Sequence, residues 1–435
     1  MSALAVAGVA GEQIPLDAQR LLGDGTGGAE SLDSHLARLG RRPAGGPWFL
    51  AELERSGLRG RGGAGFPTAR KWAAVRENSL GDAVVVVNAS EGEPWSAKDR
   101  TLISLRPHLV LDGAMLAAET LAARDVVVYL GAPFRAARHA LRHALRERRR
   151  AGVDPIRVRI VSAPHAYVAG EESALVRRVE GGPARPRAVP PRPFESGVGG
   201  RPTLVQNTET MAHAALVARF GAGWFRSMGT ETSPGTALLT VSGAVVRPGV
   251  VEVPLGTTVG EAVSRCGGVS VPVQAVLLGG YFGTWIRADV ARDLPLDAAA
   301  LQAVDGASLG CGIVAALPAS GCGLVETARI AAYLAGQSAG QCGPCVHGLA
   351  AISAALWRLA DGEPGCAEDV ALLQRWTGMV RGRGGCRHPD GAVRHVLSAL
   401  RCFAADVEHH VRSGACDGAN RASMMPPVPG AAGRR

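Results

Sequence analysis

Short apolar runs alternate with longer amphipathic stretches through the first half of the chain. Three runs rich in β-branched residues predict buried parallel strands: 83–88 (AVVVVN), 125–130 (DVVVYL) and 158–161. Apolar positions recur with helical spacing in three others: 49–56, 101–123 and 136–149. Alternating strands and helices predict a parallel sheet covered by helices, which is an α/β fold.

The pattern changes beyond residue 235. Short strands are predicted at 237–245, 249–253 and 274–278, with a helix at 258–266, which together indicate a small α+β unit. Four helices are predicted after it: 326–337, 346–361, 367–381 and 391–412. We therefore expect five segments: a partly disordered leader (1–45), an α/β domain (46–235), an α+β module (236–318), a helical domain (319–415) and a disordered tail (416–435).

Residues 57–72 (GLRGRGGAGFPTARKW) form the most distinctive stretch of the chain, with five glycines among four cationic side chains. Glycines let the backbone approach a ligand closely, so that its N–H groups can converge on an anion. The stretch therefore predicts a phosphate-binding loop, with a flexible surface loop as the alternative. It lacks the Gly-Lys-Ser/Thr of a P-loop, and the helical pattern before it does not suit the dinucleotide fingerprint.

Three further polar segments accompany this loop: 88–100 (NASEGEPWSAKDR), 167–175 (YVAGEESAL) and 200–210 (GRPTLVQNTET). The first begins where a predicted strand ends, and the second follows another strand. Ligands of parallel sheets bind beyond the carboxyl ends of the strands, so this placement suits a cofactor site. The acidic pairs in the first two segments can accept hydrogen bonds from sugar hydroxyls, although helix caps and solvated surface acids are the simpler alternative.

Charge and composition narrow the classes of function. The net charge of +9 comes almost wholly from arginine, and aromatic residues make up only 4% of the chain, which argues against a nucleic-acid surface. Nine cysteines in 435 residues do not indicate a secreted disulfide scaffold. The N-terminus lacks the basic region of a signal peptide, and no apolar run suits a membrane span. We expect a cytoplasmic protein without a transmembrane segment.

Together, the glycine loop and the three polar segments resemble the flavin-bearing NADH-oxidising subunit of respiratory complex I, a module also found in NAD-linked hydrogenases and formate dehydrogenases. The resemblance runs from about residue 48 to about residue 403. It implies a Rossmann-like FMN/NADH domain, then a β-grasp soluble-ligand-binding module, then a C-terminal helical iron–sulfur domain.

The resemblance also implies a site for FMN and NADH. Carried over residue by residue, the implied contacts are Gly60, Arg61, Gly62, Gly63, Gly65, Phe66, Lys71, Asn88, Ser90, Glu91, Glu93, Tyr167, Gly170, Glu171, Glu172, Gln206, Asn207 and Thr210. Two of these depart from the family pattern, because Ser90 replaces an acid and Gln206 replaces an asparagine. Both substitutes are polar, so FMN binding is still expected.

The nicotinamide side departs further from the family. Ala74 stands where a second aromatic residue is expected, and Val189 and Arg192 stand where a lysine and a phenylalanine are expected. Trp95 replaces a glycine, where its ring would either block the dinucleotide groove or supply a stacking face. Losing one stacking ring lowers affinity severalfold without abolishing binding.

The iron–sulfur pattern is one ligand short. The resemblance assigns Cys342, Cys345 and Cys386 to a cluster, but Ala339 stands where the first cysteine is expected. Three outcomes stay open: a 4Fe–4S cube with a non-cysteine ligand such as His347 or His388, a three-iron cluster, or no cluster. A relic Cys-x-x-Cys, a zinc site or a dithiol is the alternative. The remaining six cysteines are expected to be structural: 266, 311, 322, 366, 402 and 416. Cys311 and Cys322 flank a turn, and the approach of either one to the cluster site is the alternative.

The expected activity is oxidation of NADH by FMN, followed by single-electron transfer to an iron–sulfur cluster or a quinone-linked chain. We expect Lys71 to stabilise the flavin or its phosphate and Glu93 to orient the nicotinamide. The alternative is an FMN-binding subunit that does not oxidise NADH, and that either relays electrons from a ferredoxin-like partner or is non-catalytic. The resemblance implies a heteromer with a thioredoxin-fold 2Fe–2S subunit or a ferredoxin, and a place on the cytoplasmic side of a membrane complex.

Overall fold

The computed structural model describes residues 20–23, 28–187 and 189–430, so about half of the expected leader and the last five residues of the expected tail lie outside the described residues. The chain divides into two compact units. The first holds the described residues up to Gly92, with Ser96–Leu239 and Val250–Thr257. The second holds Glu93–Trp95, Thr240–Gly249 and the described residues from Thr258 onward.

A four-stranded parallel sheet organises the first unit, with strand order β3-β2-β1-β4. Its strands are β1 (Val84–Ala89), β2 (Asp125–Gly131), β3 (Val158–Ala163) and β4 (Thr203–Asn207). Its helices are α1 (Leu32–Leu39), α2 (Trp48–Ser56), α3 (Thr68–Asn78), α4 (Lys98–Leu105), α5 (Pro107–Thr120), α6 (Arg135–Ala151), α7 (Glu172–Val179) and α8 (Thr208–Arg226).

Both faces of this sheet are buried, as a parallel sheet requires. Val85 and Val87 of β1 join a large core built mainly from α5 and α8. Val84 and Val86 join a smaller core that includes Leu175 of α7. The uninterrupted valine run of β1 follows directly from burial on both sides, and the predicted α/β fold is confirmed.

Two features of the first unit differ from the sequence predictions. The single helix predicted over 101–123 is wrong, because α4 and α5 are separate helices that meet at Arg106 (φ −128°, ψ 53°). Arg106 precedes Pro107, and a residue before proline is pushed out of the helical region. The strand β4 was not predicted, because it is only five residues long and follows a long Pro/Gly-rich stretch.

The second sheet has strand order β6-β5-β9-β7-β8. Its strands are β5 (Thr236–Gly243), β6 (Gly249–Pro254), β7 (Val273–Leu278), β8 (Thr284–Arg287) and β9 (Ile313–Pro318), with α9 (Val259–Arg265), α10 (Ala288–Ala291) and α11 (Ala298–Ala303) between them. β5 pairs with β9 in parallel, and β7 pairs antiparallel with β8 and β9. This mixed sheet with short helices suits the predicted α+β module.

Five helices of the second unit follow β9 along the chain: α12 (Gly323–Gly336), α13 (Ala350–Ala360), α14 (Cys366–Val380), α15 (His388–Cys402) and α16 (Ala404–Ser413). A π-helical turn at Pro344–Leu349 precedes α13. The single helix predicted over 391–412 is wrong, because the chain breaks at Phe403 (φ −108°, ψ 33°). The Phe403 ring packs edge-on against Trp285 with centroids 5.3 Å apart. Among the described residues, no helix has the length and hydrophobicity needed to cross a bilayer.

Candidate functional site

The glycine loop closes on itself before α3 begins. The Gly60 N–H donates to the Phe66 carbonyl at 2.9 Å, so residues 61–65 form the tip of a closed loop. Gly63 and Gly65 adopt φ values of 117° and 60°, where a side chain is disfavoured. The glycine spacing therefore has a local structural cause as well as the predicted functional one.

The carboxyl ends of β1 and β4 form the crevice of the first sheet. Asn88 and Asn207 are register partners on these two strands. From β1 the chain proceeds to β2 on one side, whereas β4 lies on the other side, so the strand order reverses between β1 and β4. Ligands of open α/β sheets bind at such a reversal.

The glycine loop lies at this reversal. A Cβ on Gly62 would lie only 3.1 Å from the Cβ of Asn207. The Arg61 N–H donates to Thr210 Oγ1 at 2.9 Å, which ties the loop to the first turn of α8. A side chain at position 62 would crowd Asn207, which favours glycine there.

The segments after β1 and β3 meet at the same edge. Asn88 Nδ2 donates to the Gly170 carbonyl at 2.9 Å, and Ser90 Oγ donates to Asn88 Oδ1 at 2.7 Å. A Cβ on Gly170 would lie 2.7 Å from Ser90 Oγ, and one on Gly92 would lie 2.9 Å from the Tyr167 carbonyl. Parts of all four sequence segments therefore converge within the first unit.

Two of the predicted carboxylates serve as helix caps. Glu91 accepts the N–H groups of Asp99 at 2.9 Å and Arg100 at 3.3 Å, in the first turn of α4. Glu171 is the N-cap of α7 and accepts the Ala174 N–H at 2.9 Å. This is the simpler alternative considered from the sequence, and it makes both residues positioning groups for the segments that line the crevice.

Beneath the crevice lies a buried charge network that the sequence did not predict. Lys98 Nζ contacts Asp99 Oδ1 at 2.9 Å and Glu209 Oε2 at 2.8 Å. Asn207 Nδ2 donates to Asp99 Oδ2 at 2.7 Å. The only hint was that Lys98 is one of two lysines in an arginine-rich chain, and the structure shows that its ammonium is held inside the protein.

Burial raises the pKa of Asp99 to about 6, against the attraction of Lys98. Burial alone would also raise the pKa of Glu209, but Lys98, His213 and Arg61 outweigh it and hold the pKa at about 2. The two carboxylates raise the pKa of Lys98 despite its burial. Glu209 and Lys98 therefore stay charged at neutral pH, and Asp99 fixes the end of β4 through Asn207.

Three of the predicted site residues are partly or largely exposed to solvent: Lys71, Glu172 and Phe66. Lys71 stands in the first turn of α3 and forms an ion pair with Glu172. Phe66 is 54% exposed, so a ring face is accessible to a planar ligand. Tyr167 begins a short 3-10 helix, Tyr167–Gly170, that leads into α7.

Glu93 and Trp95 belong to the second unit. Glu93 Oε2 accepts the Tyr281 N–H at 2.9 Å. Trp95 is 3% exposed and packs edge-on against Tyr281 with centroids 5.1 Å apart. Burial of this ring leaves it without an open stacking face, so Trp95 acts in packing.

The three predicted cluster cysteines all belong to the second unit. The Cys345 N–H donates to the Cys342 carbonyl at 3.1 Å. Burial raises the pKa of the Cys345 thiol to about 12, and the neighbouring Cys342 and Cys386 thiols add to that shift. Cys386, some 40 positions away in sequence, is thus near enough to act electrostatically on Cys345, and the shared cluster stays a prediction.

The two histidines considered as a fourth ligand differ in their surroundings. His388 is buried, and its Nε2 lies 2.7 Å from the Leu334 carbonyl, so Nε2 carries a proton and donates. His347 is exposed and lies on the same π-helical turn as Cys345. His347 is therefore the more accessible of the two, while His388 keeps the lone pair of its Nδ1 for a ligand.

Comparison with known proteins identifies the family of this chain. Residues 53–216 match the Nuo51 FMN-binding domain, residues 238–280 the SLBB domain, and residues 326–410 the NADH-ubiquinone oxidoreductase-F iron-sulfur binding region. The F subunit of NADH-quinone oxidoreductase in Mycobacterium bovis is 34% identical over 390 residues, which cover 86% of this chain and 87% of that protein. The chain belongs to the family of NADH-quinone oxidoreductase F subunits. The predicted resemblance is confirmed.

Other relatives agree. The F subunit of the Streptomyces coelicolor enzyme is 32% identical, covering 85% of this chain and 84% of that protein. A crystal structure of NAD+-reducing NiFe hydrogenase in the H2-reduced state matches with a TM-score of 0.78 and 32% identity. The match covers 84% of this chain and 63% of that hydrogenase chain, so this chain spans less than two thirds of its length. The three matched regions follow one another along the chain in the order that the resemblance implied.

The residues of the crevice fit FMN. Gln206 is buried, and its Oε1 has no hydrogen-bond partner within the part of the chain that the structure describes. Its Nε2 lies 4.0 Å from where a Cβ of Gly60 would stand, which places the side chain beside the glycine loop. A donor on the edge of a flavin ring would satisfy this orphaned acceptor. The departure from asparagine at this position is therefore compatible with the cofactor.

Proposed function

We propose that this chain oxidises NADH with FMN as the acceptor, and that the electrons leave singly through an iron–sulfur cluster in the C-terminal helical region. The observation that carries this proposal is the convergence of the glycine loop, Asn88 and Gln206 at the strand reversal of the first sheet. Bound FMN supplies both hydride acceptance and one-electron release. The relatives named as NADH-quinone oxidoreductase subunits support the same activity.

The residues of this chain would bind FMN and orient it. The amide groups of residues 61–65 suit the phosphate, with Lys71 adding positive charge. Gln206 and Asn88 suit the polar edge of the ring, and Asp99 holds Asn207 in place from below. No side chain has to act as an acid or a base, because the cofactor performs the chemistry.

Fewer residues support the proposed binding site for the nicotinamide dinucleotide. Phe66 offers an exposed ring for stacking, whereas Ala74, Val189 and Arg192 supply no second ring. We assign the orientation of the nicotinamide to Glu93. NADH binding with a weakened adenine contact is the expected consequence.

For the cluster we assign Cys342, Cys345 and Cys386 as protein ligands, with a non-cysteine group at the fourth iron. The domain boundaries at residues 45, 235, 318 and 415 are part of the same proposal. A thioredoxin-fold 2Fe–2S subunit or a ferredoxin is the proposed partner within a heteromer. A cytoplasmic location suits the cysteines, which form no disulfide within the described residues.

Steady-state assays test the proposed activity. The FMN-reconstituted chain should reduce ferricyanide with NADH as the donor, and the FMN-free chain should not. Reduction by a reduced ferredoxin but not by NADH would replace the proposal with the electron-relay alternative.

A further inference from the structure

Cys322, His410 and Cys416 lie together in the second unit, and none of them belongs to the predicted cluster ligands. Their ligand atoms, two sulfurs and one ring nitrogen, all lie within 4.8 Å of one another. Cys322 and His410 are 88 positions apart in sequence, so the fold brings them together. We propose that these three residues form a second metal site, suited to a borderline-soft divalent cation such as Zn²⁺.

The spacing of the ligand atoms suits zinc. Cys322 Sγ lies 3.7 Å from His410 Nε2. Zinc binds thiolate at about 2.3 Å and imidazole at about 2.0–2.1 Å, so two such ligands at a tetrahedral angle are separated by about 3.6 Å. The pair needs almost no movement to bind a common ion.

The hydrogen bonding of His410 fixes its ring in the protonation state of a metal-bound histidine. His410 is 1% exposed, and its Nδ1 lies 3.0 Å from the Leu359 carbonyl. Because a carbonyl only accepts, Nδ1 carries the proton and the lone pair is on Nε2, as for metal-bound histidines oriented by a backbone carbonyl. The Cys416 N–H lies 3.2 Å from Nε2, so an ion would have to displace this hydrogen bond.

The site joins two distant parts of the chain. Cys322 is the N-cap of α12, whose positive end would stabilise a metal-bound thiolate. Cys416 immediately precedes the short helix Asp417–Asn420. A Cβ on Gly418 would lie only 2.8 Å from the backbone of Gly321, so the two segments nearly touch. The ion would fasten the C-terminal segment to the start of α12.

Three protein ligands leave a fourth tetrahedral position for water or another small ligand. Cys366 is close by, but its sulfur contacts the His410 carbonyl at 3.9 Å and lies outside the ligand group. We therefore assign a Cys2His site with one exchangeable ligand.

Metal analysis and cobalt spectroscopy of the full chain test this assignment. The protein purified without chelator should contain about one zinc per chain, and Co²⁺ should give the absorption bands of a thiolate-bound tetrahedral ion. Cys416→Ser should lose the zinc, while the Cys402→Ser control should keep it. Cys345→Ser should lower the iron content and leave the zinc in place, which separates this site from the cluster.

Cys416→His keeps a zinc ligand and guards against a variant that merely fails to fold. It should retain the metal and weaken the thiolate-to-cobalt band. The proposal is overturned if the wild-type chain binds neither zinc nor Co²⁺ stoichiometrically, or if the zinc disappears with Cys345→Ser rather than with Cys416→Ser. A Cys322–Cys416 disulfide in the purified chain would also overturn it.

Discussion

Gln206→Met should have opposite effects on the stability of the FMN-free chain and on its affinity for FMN. Gln206 is 4% exposed, and its Oε1 has no partner in the described part of the chain. A buried polar group without a hydrogen bond costs about 1–3 kcal/mol. Methionine is unbranched and of similar length, so it should remove this cost with little change in packing.

The same replacement removes an acceptor for the flavin. A lost hydrogen bond of about 1–3 kcal/mol corresponds to a dissociation constant about 5- to 150-fold higher. The free energy of unfolding of the FMN-free chain, in contrast, should stay constant or rise by up to about 3 kcal/mol. Quenching of flavin fluorescence measures the dissociation constant, and urea unfolding measures the stability.

Thr120→Val is the matched control. Thr120 Oγ1 is also buried without a hydrogen-bond partner in the described chain, but Thr120 ends α5 and belongs to none of the four motif segments. This variant should keep the wild-type affinity for FMN. If Gln206→Met destabilises the FMN-free chain and leaves FMN affinity unchanged, the assignment of Gln206 to the flavin is refuted.

Three further variants test the buried charge network, the stacking of NADH and the cluster ligands. Glu209→Gln leaves the buried Lys98 with one carboxylate fewer and should cost about 3–5 kcal/mol of unfolding free energy. Because the folded pKa of Glu209 is about 2 against an ordinary 4.5, its contribution is present above pH 4.5 and lost as the pH falls toward 2, and the variant should lose this dependence. Phe66→Ala should raise the KM for NADH by about 2- to 12-fold at constant FMN content, through lost stacking of about 0.5–1.5 kcal/mol. Ala339→Cys should raise the iron content and the visible cluster absorption.

Each variant has a matched control. Asp289→Asn breaks an exposed pair with Arg287 and should leave stability unchanged. Phe220→Ala removes another exposed ring and should leave KM unchanged. Ser338→Cys places a thiol one position early and should not raise the iron content. Equal effects in a variant and its control would contradict the role assigned to that residue.

The sequence predicted those elements whose immediate surroundings demand particular residue types. The valine run of β1 and the glycine loop were both visible, because burial on two faces and close backbone approach each demand particular residue types. Pro107 marks the boundary between α4 and α5 in the sequence, but the helical spacing of apolar residues on both sides of it favoured one continuous helix. The five-residue β4 carried too little pattern to be distinguished from a loop.

Contacts between distant residues could not be predicted in the same way. Lys98 and Glu209 are 111 positions apart, and nothing local marks them as partners. The predicted flavin contact of Asn207 stays a prediction, and nothing in the sequence indicated that its side-chain Nδ2 donates to Asp99 while its Oδ1 caps α8. Cys322 and Cys416 were predicted to be merely structural, because their histidine partner becomes visible only in three dimensions.

An anaerobic visible spectrum of the FMN-reconstituted chain, before and after addition of NADH, shows whether NADH reduces the bound flavin. Loss of the flavin band at ~450 nm on addition of NADH is the predicted result, because a hydride acceptor bleaches when reduced. A flavin band that persists with excess NADH, in protein that binds FMN stoichiometrically, would contradict NADH oxidation by this chain.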